Sequence, residues 1–168
     1  MSGSIILKFG EKNDIKGKCK IVGFEDCINI NKIGFDTGRF IDSTNDQRNP
    51  GVASHSEISL EKISDMASPC LWLDAIKGVA HEKAYIYITQ TAGNGNDNDP
   101  YIVLTLNDAI VSSYDLLSTG DRPTEHFNLS FTAMNFSYKD VNGAMKEVKE
   151  EKCWDYVQKK ETIEKAKM

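Results

Sequence analysis

The three histidines are the natural starting point in a search for catalysis, because a serine or cysteine nucleophile needs a base beside it. His55, His81 and His126 are far apart in the chain, and none of them lies in a recognisable nucleophile motif. Folding could still bring such residues together, so an enzyme with a hidden site stays open as an alternative. The residue types themselves favour a protein that works by binding rather than by catalysis, and we expect no catalytic residue.

Metal binding is the second chemistry to test, since it requires clustered histidine, cysteine or carboxylate side chains. Glu125 and His126 are adjacent, but neighbours in a strand point to opposite faces and cannot share an ion. The run from Asn94 to Asp99 superficially resembles a calcium loop, yet it lacks the glycine register and the bidentate glutamate of such loops. The glycines of that region precede no helix that could hold a phosphate. We therefore expect neither a metal site nor a cofactor.

The four cysteines, Cys19, Cys27, Cys70 and Cys153, are too widely spaced for a zinc or redox motif. Reduced, structural thiols are the simplest interpretation, and we expect Cys70 to be buried in a helix. Cys19 and Cys27 could pair only if the fold brings their side chains together.

Composition narrows the class of partner. A formal charge of -5 gives no basic stripe, so neither nucleic acid nor an anionic membrane is a natural partner. The first ten residues show no basic region and no cleavage site of a signal peptide, and no apolar run suits a membrane-spanning helix. With 168 residues, we expect one domain over residues 1–143, followed at 144–168 by a short strand and a charged tail.

Alternation of apolar and polar residues predicts a mainly β protein. Residues 101–111 and 84–91 alternate most clearly, and shorter strands are predicted over residues 5–9, 28–35 and 57–63, the last with Ile58 and Leu60 inward. Gly93 to Pro100 has the composition of a hairpin turn between two of these strands.

Residues 125–139 carry the most specific pattern. Phe127, Leu129 and Phe131 alternate with polar residues, and from Met134 onward the apolar positions change phase. Such a change predicts a β-bulge or a barrel corner, in a long strand that serves two sheets.

One helix is predicted over about residues 69–77. Ser68 is expected as its N-cap, Pro69 as its first residue and Gly78 as its end. Three apolar residues at helical spacing are predicted to form its buried face: Leu71, Trp72 and Ile76. Asp36 to Gly51, in contrast, is predicted to be a long polar loop, and a loop of that length in a compact domain is disordered or functional.

Two stretches carry a family resemblance. Ser54 to Gly78 contains K-x-x-D-x-A-S-P-x-L, and this resembles the strand and helix of the haemolysin-coregulated protein (Hcp) family. Residues 101–116 (YIVLTLNDAIVSSYDL) and 125–140 (EHFNLSFTAMNFSYKD) resemble the paired long strands of that family. The likeness covers about residues 5–138, is loose before Phe35, and does not extend to the charged tail.

The resemblance implies a tube subunit of the type VI secretion system. Its expected fold is a β-barrel of two packed antiparallel sheets with one flanking helix. It implies hexameric rings that stack into a tube, with a spike protein, a contractile sheath and effector proteins as partners. It also implies a cytoplasmic protein that is later secreted through this apparatus without a signal peptide. By position, the long loop corresponds to the family's ring contact, with Asp36, Arg39 and Arg48 as candidate contact residues.

Two alternatives stay open at this point. One is a monomeric β-barrel that binds a ligand in its interior. The other is an enzyme with a cryptic site at Glu125 and His126.

Overall fold

The computed structural model describes residues 3–43, 48–90, 98–141 and 147–162. Its strands and helix follow in chain order: β1 Ser4–Phe9, β2 Ile28–Ile30, β3 Lys32–Gly34, β4 Thr37–Asp42, β5 Asn49–His55, β6 Ile58–Ile63, α1 Ser68–Lys77, β7 Ala80–Thr89, β8 Pro100–Leu117, β9 Thr124–Ser130, β10 Ala133–Val141, β11 Glu147–Asp155 and β12 Lys160–Thr162. The mainly β fold with one flanking helix is therefore confirmed.

The long strand β8 organises the sheets. Along one edge it pairs with β7, and along the other it pairs first with β10 and then with β9. From β7 the order continues through β1 to β2, from β9 through β6 to β3, and from β10 through β11 to β12, always antiparallel. β4 and β5 form a separate two-stranded sheet.

The two halves of the main sheet meet where β2 passes into β3. β2 pairs with β1 and β3 pairs with β6, so the ladder is interrupted at Asn31 and the barrel is not closed by one continuous ladder. The amide of Asn31 donates to the carbonyl of Glu61 at 2.7 Å and holds this corner together.

The space between the packed sheets is filled by aliphatic and aromatic side chains. Ile58 and Leu60 point inward as predicted, and they join one core cluster with Leu104, Leu106 and Phe127. Burial of this apolar surface is the main favourable contribution to the stability of the fold. A filled interior also disfavours the alternative of a barrel that holds a ligand inside.

The predicted change of phase after Phe131 is confirmed as a break between two strands. Phe127, Leu129 and Phe131 belong to the core cluster, and Met134 then packs against the same cluster from an even-numbered position. The register with β8 does not shift across the break, which excludes a bulge at this point. β9 joins β6 and β10 joins β11, so the segment does serve two parts of the sheet.

Opposite the break after Phe131, β8 also changes which of its two faces is buried. Leu104 and Leu106 are buried, and beyond them Ala109 and Val111 are buried instead. Asp108 lies between the two pairs with a φ of 50°, a conformation that aspartate tolerates better than most residues. Because of this change, Ile110 does not continue the inward series of Leu104 and Leu106 and lies between the buried Ala109 and Val111.

The prediction for the helix was correct in position and partly wrong in its buried face. Leu71 is fully buried, but Trp72 and Ile76 are 54% and 63% exposed. The helix contacts the barrel through a narrow stripe that contains Leu71 and, one turn later, Ala75. The residues that follow each of them, Trp72 and Ile76, face outward. The same geometry leaves Cys70 exposed, contrary to expectation.

The ends of the helix also refine the prediction. Ala67, not Ser68, is the N-cap residue, and Pro69 lies in the first turn as expected. Gly78 ends the helix in the left-handed conformation, with its amide donating to the carbonyl of Asp74 at 2.8 Å.

Residues 147–162 contain more strand than the one short strand expected there. β11 is nine residues long and pairs with β10 along its whole length, and β12 adds a further short strand. The predicted turn over residues 93–100 falls mostly on residues 91–97, outside the described residues, but β7 and β8 do pair as an antiparallel hairpin.

Candidate assembly interface

The segment predicted as a long loop is largely a two-stranded ribbon, called here the arm (β4 and β5). Its strands pair from Thr37 with His55 to Asp42 with Asn49, with an irregularity in register at Phe40. Gly51 faces this irregularity, and a Cβ atom there would approach the Phe40 carbonyl to 2.9 Å. The proline and glycine of this segment, which favour a loop in sequence reasoning, are accommodated in β5 because it is an edge strand.

The arm exposes three large apolar side chains to solvent. Phe40 is 77% exposed and Val52 is 83% exposed, and Ile41 is also exposed. The candidate contact residues lie along the same ribbon: Asp36 at its base, Arg39 within β4, and Arg48 just before β5, all exposed. An exposed, paired ribbon with apolar and cationic side chains is suited to contact with another protein surface.

The base of the arm is closed by hydrogen bonds between its two ends, and His55 attaches it to the body of the protein. The backbones of Asp36 and Ser56 are joined because the amide of Ser56 donates to the Asp36 carbonyl at 2.9 Å, while the Asp36 amide donates to the Ser56 hydroxyl at 2.8 Å. The ring of His55 lies 3.8 Å, centroid to centroid, from that of Tyr156, which in turn packs on Phe131. These contacts give the arm a defined direction.

A second exposed apolar surface lies where the core-facing side of β8, β10 and β11 extends past the barrel. Met134, Phe136 and Tyr138 share the face that carries Leu104 and Leu106. Trp154 of β11 lies opposite Met134 on this face. Phe136 and Trp154 are 37% and 44% exposed although they continue the core-facing side of the sheet. This surface, called here the sheet extension, is a core-facing surface that no layer formed by the described residues covers.

The helix adds a third exposed apolar group, since Met66, Trp72 and Ile76 all face outward. Polar contacts at both ends of the helix, together with the buried Leu71, attach it to the barrel. At its end, Nε2 of His81 lies 2.7 Å from Oδ2 of Asp74.

At the start of the helix lies a buried polar cluster that sequence reasoning missed. The ammonium of Lys62 and the carboxylate of Glu125 are fully buried and 2.5 Å apart. Lys62 also pairs with Asp65 at 2.9 Å, and Ser68 donates to Glu125 at 2.8 Å. The hydroxyl of Tyr114 donates to the second carboxylate oxygen of Glu125. The polar groups of this cluster satisfy one another, as buried charges require.

The electrostatics of the cluster follow from these partners. Burial acts to raise the pKa of the Glu125 carboxyl, but hydrogen bonds from Lys62, Tyr114 and Ser68, with the charge of Lys62, outweigh it and lower that pKa. Burial and the adjacent carboxylate raise the pKa of Tyr114. At neutral pH the cluster therefore holds an ionised glutamate beside a neutral phenol.

A pH dependence of stability follows from the lowered pKa of Glu125. The ionised carboxylate stabilises the fold above the unfolded-state pKa of about 4.3, and this contribution is lost as pH falls through the lower folded-state pKa. We expect the free energy of unfolding of Glu125→Gln to fall well below that of the wild type at neutral pH, and the gap to narrow below about pH 4. Urea denaturation of both proteins across pH 3–7 measures it. A gap that stays constant with pH would contradict this account.

The candidate catalytic residues remain apart among the described residues. His126 is half-exposed with Nδ1 3.8 Å from Glu61, whereas Glu125 is buried, which confirms that this adjacent pair faces opposite sides. His81 contacts Asp74 and His55 contacts Tyr156, so each histidine has a separate environment. In the described part of the chain, no three histidine, cysteine or carboxylate side chains gather as a metal site would require.

Comparison with known proteins identifies the family. Residues 7–138 match the protein family described as "Type VI secretion system effector, Hcp", which is most of the chain. The chain belongs to the Hcp family. The resemblance read from residues 54–78, 101–116 and 125–140 is thereby confirmed. A search among proteins of curated function found no match by sequence.

Solved structures with similar folds agree with membership of the Hcp family. One described as a type six secretion system protein superposes with a TM-score of 0.83 at 18% identity, covering 96% of this chain and all of the other. Hcp1 from Salmonella typhimurium gives 0.73 at 20% identity, covering 96% of this chain and 100% of its own. A type VI secretion system effector from Yersinia pestis gives 0.68 at 19% identity, covering 90% and 98%. At these identities the likeness shows a shared Hcp fold.

Proposed function

We propose that this protein is a structural subunit of the type VI secretion tube, which assembles into hexameric rings that stack on one another. The observation that carries the proposal is the sheet extension, a core-facing apolar surface on which Phe136, Tyr138 and Trp154 are exposed in the described part of the single chain. Membership of the Hcp family supports a secretion-system role for the protein.

Lateral contact between subunits is assigned to the sheet extension. Phe136, Tyr138 and Trp154 offer large aromatic side chains, the type most enriched at the centres of protein interfaces. A contact between this surface and a different surface of the next copy is heterologous, and such contacts close into a ring when the rotation permits.

Stacking between rings is assigned to the arm. It is exposed along both strands, carries Arg39 and Arg48, and has a fixed base. Because its apolar residues are exposed, contact with the next ring would remove Phe40 and Val52 from water.

The remaining partners of the proposed tube are a spike protein at its tip, a contractile sheath around it and effector proteins in its pore. No partner in nucleic acid and no insertion into a membrane is proposed. Among the described residues there is no helix with the length and apolar character that crossing a bilayer requires. We place the protein in the cytoplasm before firing and outside the producing cell afterwards.

Electron microscopy of the purified protein tests the proposal. Rings with six subunits in negative stain, with a matching mass by light scattering, are the expected result. A particle that stays strictly monomeric over the accessible concentration range would overturn it and favour a monomeric binding module.

Reversal of charge on the arm should affect stacking and leave the fold intact. Arg39→Glu and Arg48→Glu alter exposed side chains, so we expect each to change the free energy of unfolding by less than about 0.5 kcal/mol. In the double variant, we expect rings to form and stacked rings to become several-fold rarer in micrographs. Lys20→Glu, on an exposed position far along the chain from the arm, is the matched control. Unchanged stacking in the double variant would remove the arm arginines from the interface.

A further inference from the structure

A second, smaller apolar cluster lies on the opposite side of the β1–β7 pair from the main core. Its fully buried members are Ile6, Cys19 and Cys27, and Ile21, Phe24 and Tyr87 pack against them. The segment from Gly17 to Cys27 lies over Ile6 and Tyr87 and buries both thiols, at 2% and 3% exposure. This placement is not explained by the proposed assembly.

The backbone sets the two cysteines directly opposite each other. The amide of Cys19 donates to the carbonyl of Cys27 at 3.0 Å, and the amide of Asp26 donates to the carbonyl of Cys19 at 2.9 Å. Asp26 has a φ of 60°, and this pair of hydrogen bonds with a left-handed residue is the pattern of a β-bulge in which Cys27 faces Cys19.

Both side chains enter the same cluster, so they lie on the same face of this paired segment. Residues that face each other across a hydrogen-bonded antiparallel pair have Cα atoms about 5.5 Å apart. That separation lies inside the range of about 4.4–6.8 Å that a disulfide spans. The backbone pairing of Cys19 and Cys27 is therefore compatible with a disulfide between them.

We propose that Cys19 and Cys27 are an oxidation site, which forms an intramolecular disulfide when the protein meets an oxidising low-molecular-weight disulfide such as oxidised glutathione. The bond closes the short loop between the two residues over the outer face of β1 and β7. The proposal goes beyond ring assembly and does not depend on it.

The chemistry is a two-step thiol–disulfide exchange. One cysteine thiolate attacks a sulfur of oxidised glutathione, forming a mixed disulfide and releasing one glutathione thiolate. The second cysteine thiolate attacks the protein sulfur of that mixed disulfide, forming the Cys19–Cys27 bond and releasing the other glutathione. The protein loses two electrons and two protons, and two reduced glutathione molecules carry them away.

Burial makes this exchange slow in the folded protein. Desolvation raises the pKa of both thiols, so the attacking thiolate is scarce at neutral pH. We expect the rate of oxidation to increase as pH rises.

The test uses the full chain carrying Cys70→Ser, because Cys70 is exposed and would otherwise form its own glutathione adduct. The folded protein is incubated with oxidised glutathione at pH 8.5, alkylated and digested with trypsin. We expect the intact mass to fall by two hydrogens, and the peptide Cys19–Lys20 to be found linked to Ile21–Lys32. We also expect the melting temperature to rise by about 5 °C on oxidation and to return on reduction.

Matched variants separate this pair from the other buried thiol. Cys153 is also buried and accepts a hydrogen bond from Thr162, so Cys153→Ser should leave the crosslink unchanged. Cys19→Ser and Cys27→Ser should each abolish it. An unfolded sample treated in the same way serves as the reference for full oxidation. The proposal is overturned if Cys19 and Cys27 of the folded protein stay alkylatable under conditions that fully oxidise this reference, or if only glutathione adducts are recovered.

Discussion

Lys62→Met should destabilise the fold by about 3–5 kcal/mol, since it removes the partner of a fully buried carboxylate. Glu125 would keep its hydrogen bonds from Tyr114 and Ser68, but no positive charge would remain beside it. Equilibrium urea denaturation at neutral pH measures the loss as a lower midpoint at constant slope. The loss should affect the whole fold, because Lys62 lies on β6, Glu125 on β9 and Ser68 on the helix.

Two control variants test whether the loss of stability in Lys62→Met comes from the buried ion pair. Lys62→Met combined with Glu125→Gln removes both charges, and it should recover a large part of the stability that Lys62→Met alone removes. Lys152 is exposed and pairs with Glu150 and Glu161 at 3.5 and 3.8 Å, so Lys152→Met should cost less than about 1 kcal/mol. Equal losses for the two lysine variants would show that burial of the first pair adds nothing.

The buried pair of Lys62 and Glu125 also shows which features can be predicted from the sequence and which cannot. Alternation in residues 58–63 predicts inward positions at Ile58 and Leu60, and the next inward position by the same rule is Lys62. A lysine at such a position normally indicates that the strand has left the core. Its partner Glu125 is 63 positions further along the chain, so only the pairing of β6 with β9 brings them together.

The helix illustrates a different limit. Spacing alone groups Leu71 with Trp72 and Ile76, since all three lie on one side of a helical projection. How wide a stripe is buried depends on the surface beneath the helix, which the local sequence does not contain. Ser68 and Asp74 make polar contacts with Glu125 and His81, and in this orientation Leu71 is buried whereas Trp72 and Ile76 are exposed.

The strand elements were predictable because their cause is local. β6 follows from alternation, β1 follows from a short apolar run, and the break after Phe131 follows from a change in phase. The arm was not predictable in this way, because an exposed ribbon has no buried face and hence no alternation to detect. The signal available was the presence of Phe40, Ile41 and Val52 in an otherwise polar segment.

Trp154→Asp should abolish ring assembly without unfolding the subunit. The side chain lies on the sheet extension, where the proposed neighbour would bury it, and a carboxylate there would be desolvated without a partner. Truncating a central aromatic residue of an interface typically costs about 2 kcal/mol or more, which is roughly 30-fold in affinity for each contact. The aspartate adds the cost of desolvating its charge to this loss of affinity. The loss also recurs at every subunit, because the same contact is repeated around the ring.

The expected result is a monomer by light scattering, at concentrations where the wild type is fully assembled, with an unchanged circular dichroism spectrum. Phe136→Asp should behave in the same way because it lies on the same face. Val22→Asp is the matched control, since Val22 is more exposed than either aromatic residue but lies in the loop between Cys19 and Cys27. Intact rings in both aromatic variants would exclude the sheet extension as the lateral interface and leave the exposed helix face, with Trp72 and Ile76, as the surface to test. Loss of rings in Val22→Asp as well would indicate that assembly responds to any added negative charge.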